Sequence, residues 1–371
     1  MEFVKENAPH MHRRDSLFRM MLDVIIALLP VIVMAFVYFP LAALRNILVS
    51  LGVMIVAELV FVMIMNKAKL KDGEKYQPLK GYTKENVIVP AVSALIFALI
   101  MPVATKEPGF IYYALITGAL FGIIIGKLLF GGTGRNIFNP AAVGMVFAKV
   151  CFGSRFTYPA SATLPFDAYS GATALSSKTP NLIQIGSLSI DPNFSLLDMF
   201  LGRMGGVLGE TCSIAILIGL VYLIVRHTID WRIPLAYLGT FALIMLIAGS
   251  IIQAGHPTLS LWHFTAYELL SGGLLFGAVF MATDPVTSPI TYPARVNYGI
   301  FLGAATALIR LFGSLPEGVV YSILMGNMIT PLLDYYKWGD NRWTWKRILF
   351  CSFTFLIPAL IVVWAMCVEV L

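Results

Sequence analysis

Stretches of apolar residues about as long as a bilayer is thick recur along this chain, and no other feature narrows its folding options so far. A helix needs about 20 apolar residues to cross the hydrocarbon core. Runs near 19–39, 43–66, 87–104, 110–130, 138–152, 205–225, 233–254, 266–282, 296–313, 317–333 and 348–368 approach that length. Lipid offers no partner to backbone N–H and C=O groups, so spanning segments must satisfy them internally. The sequence therefore predicts an all-α polytopic membrane protein with eleven crossings. Composition agrees: 58% of the 371 residues are apolar and 12% are charged, against about 25% charged in soluble domains. The segment before the first run carries acids as well as bases and leads to no small-residue cleavage site, so that run reads as a retained spanning helix and not as a signal peptide.

A net charge of +6 could suit nucleic acid, but the Lys and Arg residues fall mostly in short loops between apolar runs. That distribution is the positive-inside bias, and it reports topology. Residues 67–85, KAKLKDGEKYQPLKGYTKE, hold six lysines against three acids after the second run. This places the N-terminus and that loop in the cytoplasm. RHTIDWR (226–232) and DYYKWGDNRWTWKR (334–347) then fall on the same side, and both are basic. The long polar stretch 153–204 falls outside. Four scattered cysteines with no C-x-x-C spacing support neither a disulfide framework nor a complete iron–sulfur or zinc site; they read as apolar packing residues.

The chain echoes itself. LIFALIMPVATKEP (95–108) resembles LLFGAVFMATDPVTSP (274–289), and GALFGIIIGKLLFGGTG (118–134) resembles GIFLGAATALIRLFGSLPEG (299–318). Five crossings per half is an odd number, so the two halves must be inserted upside down relative to each other. Such inverted five-plus-five repeats use broken helices whose freed backbone lines a cavity. The Gly- and Pro-rich segments GGTGRNIFNPAAVG (131–144) and ATDPVTSPITYP (282–293) fit that role. The organisation predicted is a first five-helix repeat (1–152), an outer loop (153–204), a second inverted repeat (205–334), and a basic loop with one extra helix (335–371).

Three groups of residues carry chemistry. GGTGRN lacks the G-K-[ST] of a triphosphate loop. Its Asn136 and Asn139 are three apart, and Asn139-Pro140 reads as a helix cap followed by the first helical residue. The two amides either satisfy backbone there or line a pocket for the edge of a heterocycle. Acids in apolar runs cost about 2.5–3.5 kcal/mol on insertion scales and mark candidate functional sites. They are Glu58, Glu210, Asp284 and Asp334, with cation-pathway, ion-pair and interfacial readings all open. Asp23 is expected to be neutralised by Arg19, four residues before it. The third group lies in the outer loop: Asp167-x-x-Ser170-Gly171-Ala172-Thr173. Such a match arises by chance in roughly one chain in a thousand of this length. It is either a polar turn or a flavin-attachment motif, with an unshielded Thr173 hydroxyl and with Asp167 and Ser170 to position a phosphate.

GGTGRNIFNPAAVG, DAYSGAT, GGLLFGAVFMATDPVTSP and PEGVVYSILMGNMITPLLD together resemble the RnfD subunit of the Rnf electron-transport complex, and more distantly the NqrB subunit of the sodium-pumping NADH:quinone reductase. The resemblance covers nearly the whole core. It implies a helix arrangement similar to urea and ammonium transporters, FMN joined as a phosphoester to Thr173, and a non-covalent riboflavin beside Asn136 and Asn139. It further implies a multi-subunit complex in a bacterial inner membrane, with a neighbouring FMN-carrying subunit and a cytoplasmic NAD-side subunit. Such a complex passes electrons between ferredoxin and NAD and moves Na+ or H+, for which Glu58, Asp284 and Asp334 are the candidate stations. The run at 348–368 departs from RnfD chains, which commonly end soon after the segment matching Asp334. Only about twenty residues precede the first helix, where NqrB subunits carry a long extension, and this favours RnfD. A small-solute channel or permease of the same fold, and a scaffold for other redox subunits, remain as rival readings.

Overall fold

The structure is a computed structural model describing residues 16–69, 75–107, 109–157, 196–202, 206–255, 260–313, 317–335 and 341–370. It is helical almost throughout. Helix α1 (Leu17–Tyr38) starts at Ser16, whose hydroxyl accepts from Arg19 N at 3.3 Å. Pro40 opens α2 (Pro40–Ala68), since a residue without an N–H fits the first helical position. Then come α3 (Glu85–Ile100), α4 (Phe110–Gly126) and α5 (Pro140–Phe152), followed further along the chain by α6 (Leu196–Leu201), α7 (Ser213–Val225) and α8 (Arg232–Gly255). Helix α9 (Leu261–Leu270) bends by 61° into α10 (Leu274–Phe276), which continues as a π-helical turn over Gly277–Met281. The chain closes with α11 (Tyr292–Phe312), α12 (Val319–Leu333) and α13 (Trp345–Val370). A two-residue antiparallel ladder pairs Ala104–Thr105 with Phe156–Thr157.

Every one of the eleven apolar runs contains a helix, but the expectation of eleven full-length crossings needs correction. Among the described residues, α1, α2, α4 with its short extension, α8 and α13 are long and apolar enough to span a bilayer, and the bent α9–α10 pair makes a sixth. Most of the others are shorter, α5 being bounded by Pro140 and Gly153. Helices α5 and α7 have 13 residues each, a rise of about 20 Å against a hydrocarbon core of about 30 Å.

Two seams hold the bundle together at backbone distance. On α4, Gly118, Gly122 and Gly126 face α5, and a Cβ on Gly122 would stand 2.6 Å from Pro140 O. On α11, a Cβ on Gly303 would stand 2.6 Å from Tyr237 O of α8. Small residues four apart give such close approach in lipid, where packing replaces the hydrophobic drive. The core runs through α3, buried without a gap from Ala94 to Ile100, and the π-helical turn. Outward-facing Leu41, Leu48, Val60, Ile218 and Leu360 give the bundle an apolar exterior.

Candidate functional site

The two Gly- and Pro-rich segments meet inside the bundle. Asn139 caps α5, its Oδ1 accepting from Ala141 N at 3.0 Å and Ala142 N at 3.4 Å. Its Nδ2 donates at 3.3 Å to Met281 O, at the end of the π-helical turn. That carbonyl needs an outside donor, because the residue four further on is Pro285, which has no N–H. One side chain thus satisfies a helix start in one half and a broken helix end in the other. Asn136 donates to Phe138 O at 3.1 Å. Asp284 accepts from the Thr287 hydroxyl at 3.0 Å.

Asn136, Asn139 and Asp284 line one cavity of about 130 Å³, together with Lys127, Thr133 and apolar side chains such as Met20 and Phe280. The buried Thr133 Oγ1 has no hydrogen-bond partner among the described residues. A few polar groups converging on an otherwise apolar concavity are what a heterocyclic ligand requires: apolar walls for the ring faces and donors or acceptors for its edge. A second cavity, of about 320 Å³, is lined by Glu58, Asn66, Lys69, Lys80 and again Thr133. Between the two stands an ion pair, Lys127 Nζ to Glu58 Oε2 at 3.0 Å, with both side chains about 98% buried or more. Two buried charges persist only when paired, since each alone carries the full desolvation penalty.

The other candidates lie elsewhere. Asp334 is not on the cavity: it ends α12 and accepts from Ile290 N at 3.0 Å, tying α12 to the segment that carries Asp284. Glu210 sits at the opposite end of α5 from Asn139, in a buried charged group with Glu317, Lys149, Arg310 and Glu268. There Lys149 bonds Glu317 at 2.5 Å and Gly273 N donates to Glu317 at 3.1 Å. Asp23 has partners across the bundle that its local sequence does not show: its carboxylate accepts from Tyr222 Oη at 3.1 Å, Arg226 at 3.4 Å and Thr228 Oγ1 at 3.3 Å, all from α7 and the turn after it. Asp167, Ser170, Gly171, Ala172 and Thr173 lie outside the described residues. Lys127, Lys149, Arg310 and Glu317 join these sites without having stood out in the sequence. Lys127 had one visible signal, a lone cation inside an apolar run between Gly126 and Gly131.

A bundle of apolar helices around a polar cavity, where broken segments from both halves of the chain meet, defines a polytopic membrane protein with an internal polar site. The chain belongs to the NQR2, RnfD, RnfE family, which it matches over residues 4–340. It is 31% identical over 358 residues to the D subunit of the proton-translocating ferredoxin:NAD(+) oxidoreductase complex of Clostridium ljungdahlii, covering 92% of this chain and 97% of that one. It is 32% identical over 332 residues to the D subunit of the Na(+)-translocating ferredoxin:NAD(+) oxidoreductase complex of Acetobacterium woodii, covering 89% and 92%. With the B subunit of the Na(+)-translocating NADH-quinone reductase of Chromohalobacter salexigens it shares 36% identity over 252 residues, 66% of this chain but only 57% of that subunit's length.

Proposed function

We propose that this chain is the membrane subunit of an Rnf-type, ion-translocating ferredoxin:NAD oxidoreductase in a bacterial inner membrane. In this reading it carries electrons through FMN on Thr173 and riboflavin between the two halves. The observation that carries the reading is the cavity shared by the two broken segments, with Asn136, Asn139 and Asp284 on its wall. The two ferredoxin:NAD(+) oxidoreductase relatives align over more than nine-tenths of their length and the NADH-quinone reductase relative over 57%, which favours the Rnf type. Helix contacts support a five-helix repeat: α4 packs on α5 as α11 packs on α12, α2 on α4 as α8 on α11, and α1 meets α7 between the halves; the odd number of helices in each half makes the repeat an inverted one.

Flavins supply carriers that take one or two electrons, while the protein contributes placement, hydrogen bonds and dielectric. Thr173 offers the hydroxyl for the phosphoester, with Asp167 and Ser170 close to it in sequence, in a stretch read from the charge pattern as facing out of the cell. A neighbouring FMN-carrying subunit would hand electrons over there, and NAD-side subunits would exchange them at the cytoplasmic face. Asn136 and the Thr133 hydroxyl are the groups best placed to meet a ring edge, because Asn139 is already engaged with Ala141, Ala142 and Met281. For Na+ or H+, Asp284 and Asp334 are stations near the cytoplasmic end. Glu58 can take a cation only when Lys127 moves away from it.

In-gel flavin fluorescence of the denatured chain tests the reading. The wild type, made with a flavin transferase present, is expected to fluoresce, and Thr173→Val to be dark while retaining acid-extractable riboflavin. Asn136→Ala is expected to lose riboflavin and keep the covalent signal. A dark wild-type band sinks the assignment of Thr173, and a wild type without extractable riboflavin sinks that of the cavity.

A further inference from the structure

The extra helix α13 packs against α11 and α8 and is mostly exposed. At its first turn it leaves a cavity of about 160 Å³ against the first turns of α11 and the end of α12. The floor is apolar, formed by Leu332, Leu333 and Phe350, and Lys346 and Arg347 stand on its wall. Arg347 is held by the carbonyl of Arg342, to which its guanidinium donates at 2.6 Å, and Lys346 is exposed. The N-terminus of α13 opens at this cavity and favours negative charge, whereas at that of α11 the Tyr292 amide is already taken by Asn341 Oδ1 and Pro293 has no N–H. Asp334 is near but already accepts from Ile290 N.

A second and independent observation lies deeper. Asn297 is 4% exposed, lines the same cavity, and its buried Oδ1 has no hydrogen-bond partner among the described residues. A primary amide presents a donor or an acceptor to a given point depending on a half-turn about its last bond. It can therefore meet either the ester carbonyl or the hydroxyl of a glycerol-based headgroup. Trp343 and Trp345 are exposed beside the site, at 50% and 72%. Exposed tryptophans flanking basic residues mark the level of the lipid headgroups.

We infer that this cavity is a site for one anionic phospholipid, whose phosphate sits between Lys346, Arg347 and the N-terminus of α13 while an acyl chain covers Leu332, Leu333 and Phe350. The lipid fills the gap between α13 and the rest of the bundle and so docks the appended helix to it. Positive charge above an apolar floor open to the exterior selects this occupant over a soluble anion, which has no use for the floor. The inference is independent of the redox reading.

Cys351 lines the cavity and reports its occupancy. The full-length chain in dodecylmaltoside is treated with N-ethylmaleimide, and modification is followed peptide by peptide with phosphatidylglycerol, phosphatidylcholine of the same acyl chains, or inorganic phosphate added. Lipid at about four times its dissociation constant occupies four-fifths of the sites, so phosphatidylglycerol is expected to slow Cys351 about fivefold. Cys367, further along α13, is expected to keep its rate. Lys346→Ala with Arg347→Ala is expected to abolish the difference between the two lipids. Equal slowing by phosphatidylcholine, slowing by inorganic phosphate, or no slowing at all overturns the proposal. If the buried Cys212 becomes reactive in the double variant, that variant has unfolded, and the wild-type comparison of the two lipids decides alone.

Discussion

Replacing Lys127 by methionine keeps an unbranched apolar stem of nearly the same reach and removes the charge, leaving Glu58 buried at 2% exposure with no cation at 3.0 Å. At that separation and an effective dielectric near 20, the Coulomb attraction is about 5–6 kcal/mol. Desolvation offsets much of it, and loss of one partner of a buried pair typically costs about 3–5 kcal/mol. Lys127→Met is expected to fall in that range, and Glu58→Gln near it, because each leaves one buried charge unmatched. The double variant leaves none. It is expected to be more stable than the sum of the single losses predicts by about 2 kcal/mol or more, the coupling that a double-mutant cycle isolates. Equilibrium unfolding of the full chain in dodecylmaltoside–SDS mixtures gives all four values. Single losses below about 1 kcal/mol, or strictly additive effects, would refute the view that this pair is a desolvated partition between the two cavities.

Asn139→Ala is expected to cost about 1 kcal/mol for the lost cap and about 1–3 kcal/mol more for the stranded Met281 carbonyl. Asn139→Ser restores the cap alone, so its unfolding midpoint should fall between those of the wild type and the alanine variant. Asp230, in the loop between α7 and α8, is pulled two ways. Burial raises its pKa, but the Arg232 amide and the guanidiniums of Arg295 and Arg232 outweigh that and hold it below the usual aspartate value. A depressed carboxylate contributes stability above its unfolded pKa of about 3.9. That contribution is lost as the pH falls through the lower folded value. Unfolding midpoints measured between pH 5 and pH 3 should therefore drop more steeply in the wild type than in Asp230→Asn.

Much of the helical frame was readable from the sequence, because apolar periodicity and Gly/Pro punctuation are local signals. Asn139-Pro140 announced the start of α5, and Ser16 and Pro40 mark the starts of α1 and α2 in the same way. The number of full crossings was not readable, since hydropathy counts residues and cannot see where a helix bends by 61° or gives way to a loop. Of the acids, Asp284 sits on the cavity as the broken-segment pattern suggests, whereas Glu58 makes sense only with Lys127, 69 residues away. Asp23 shows the same limit: beyond its sequence neighbour Arg19, the fold brings it Arg226 from 203 residues away. Such partners are chosen by helix packing, and no periodicity in a single chain encodes them.

The glycine seams also decide where this molecule can give. Where α4 meets α5 and α8 meets α11, the glycines bring backbone against backbone, at Gly122 with Pro140 and at Gly303 with Tyr237, so neither pair has a second arrangement of comparable packing within reach. Each pair behaves as a plate. What compliance the bundle has is therefore concentrated at the bend between α9 and α10 and at the π-helical turn after it, the stretch whose last carbonyl is latched by Asn139. A displacement of that stretch is transmitted directly to the first turn of α5, so the cavity wall and the hinge belong to one mechanical unit.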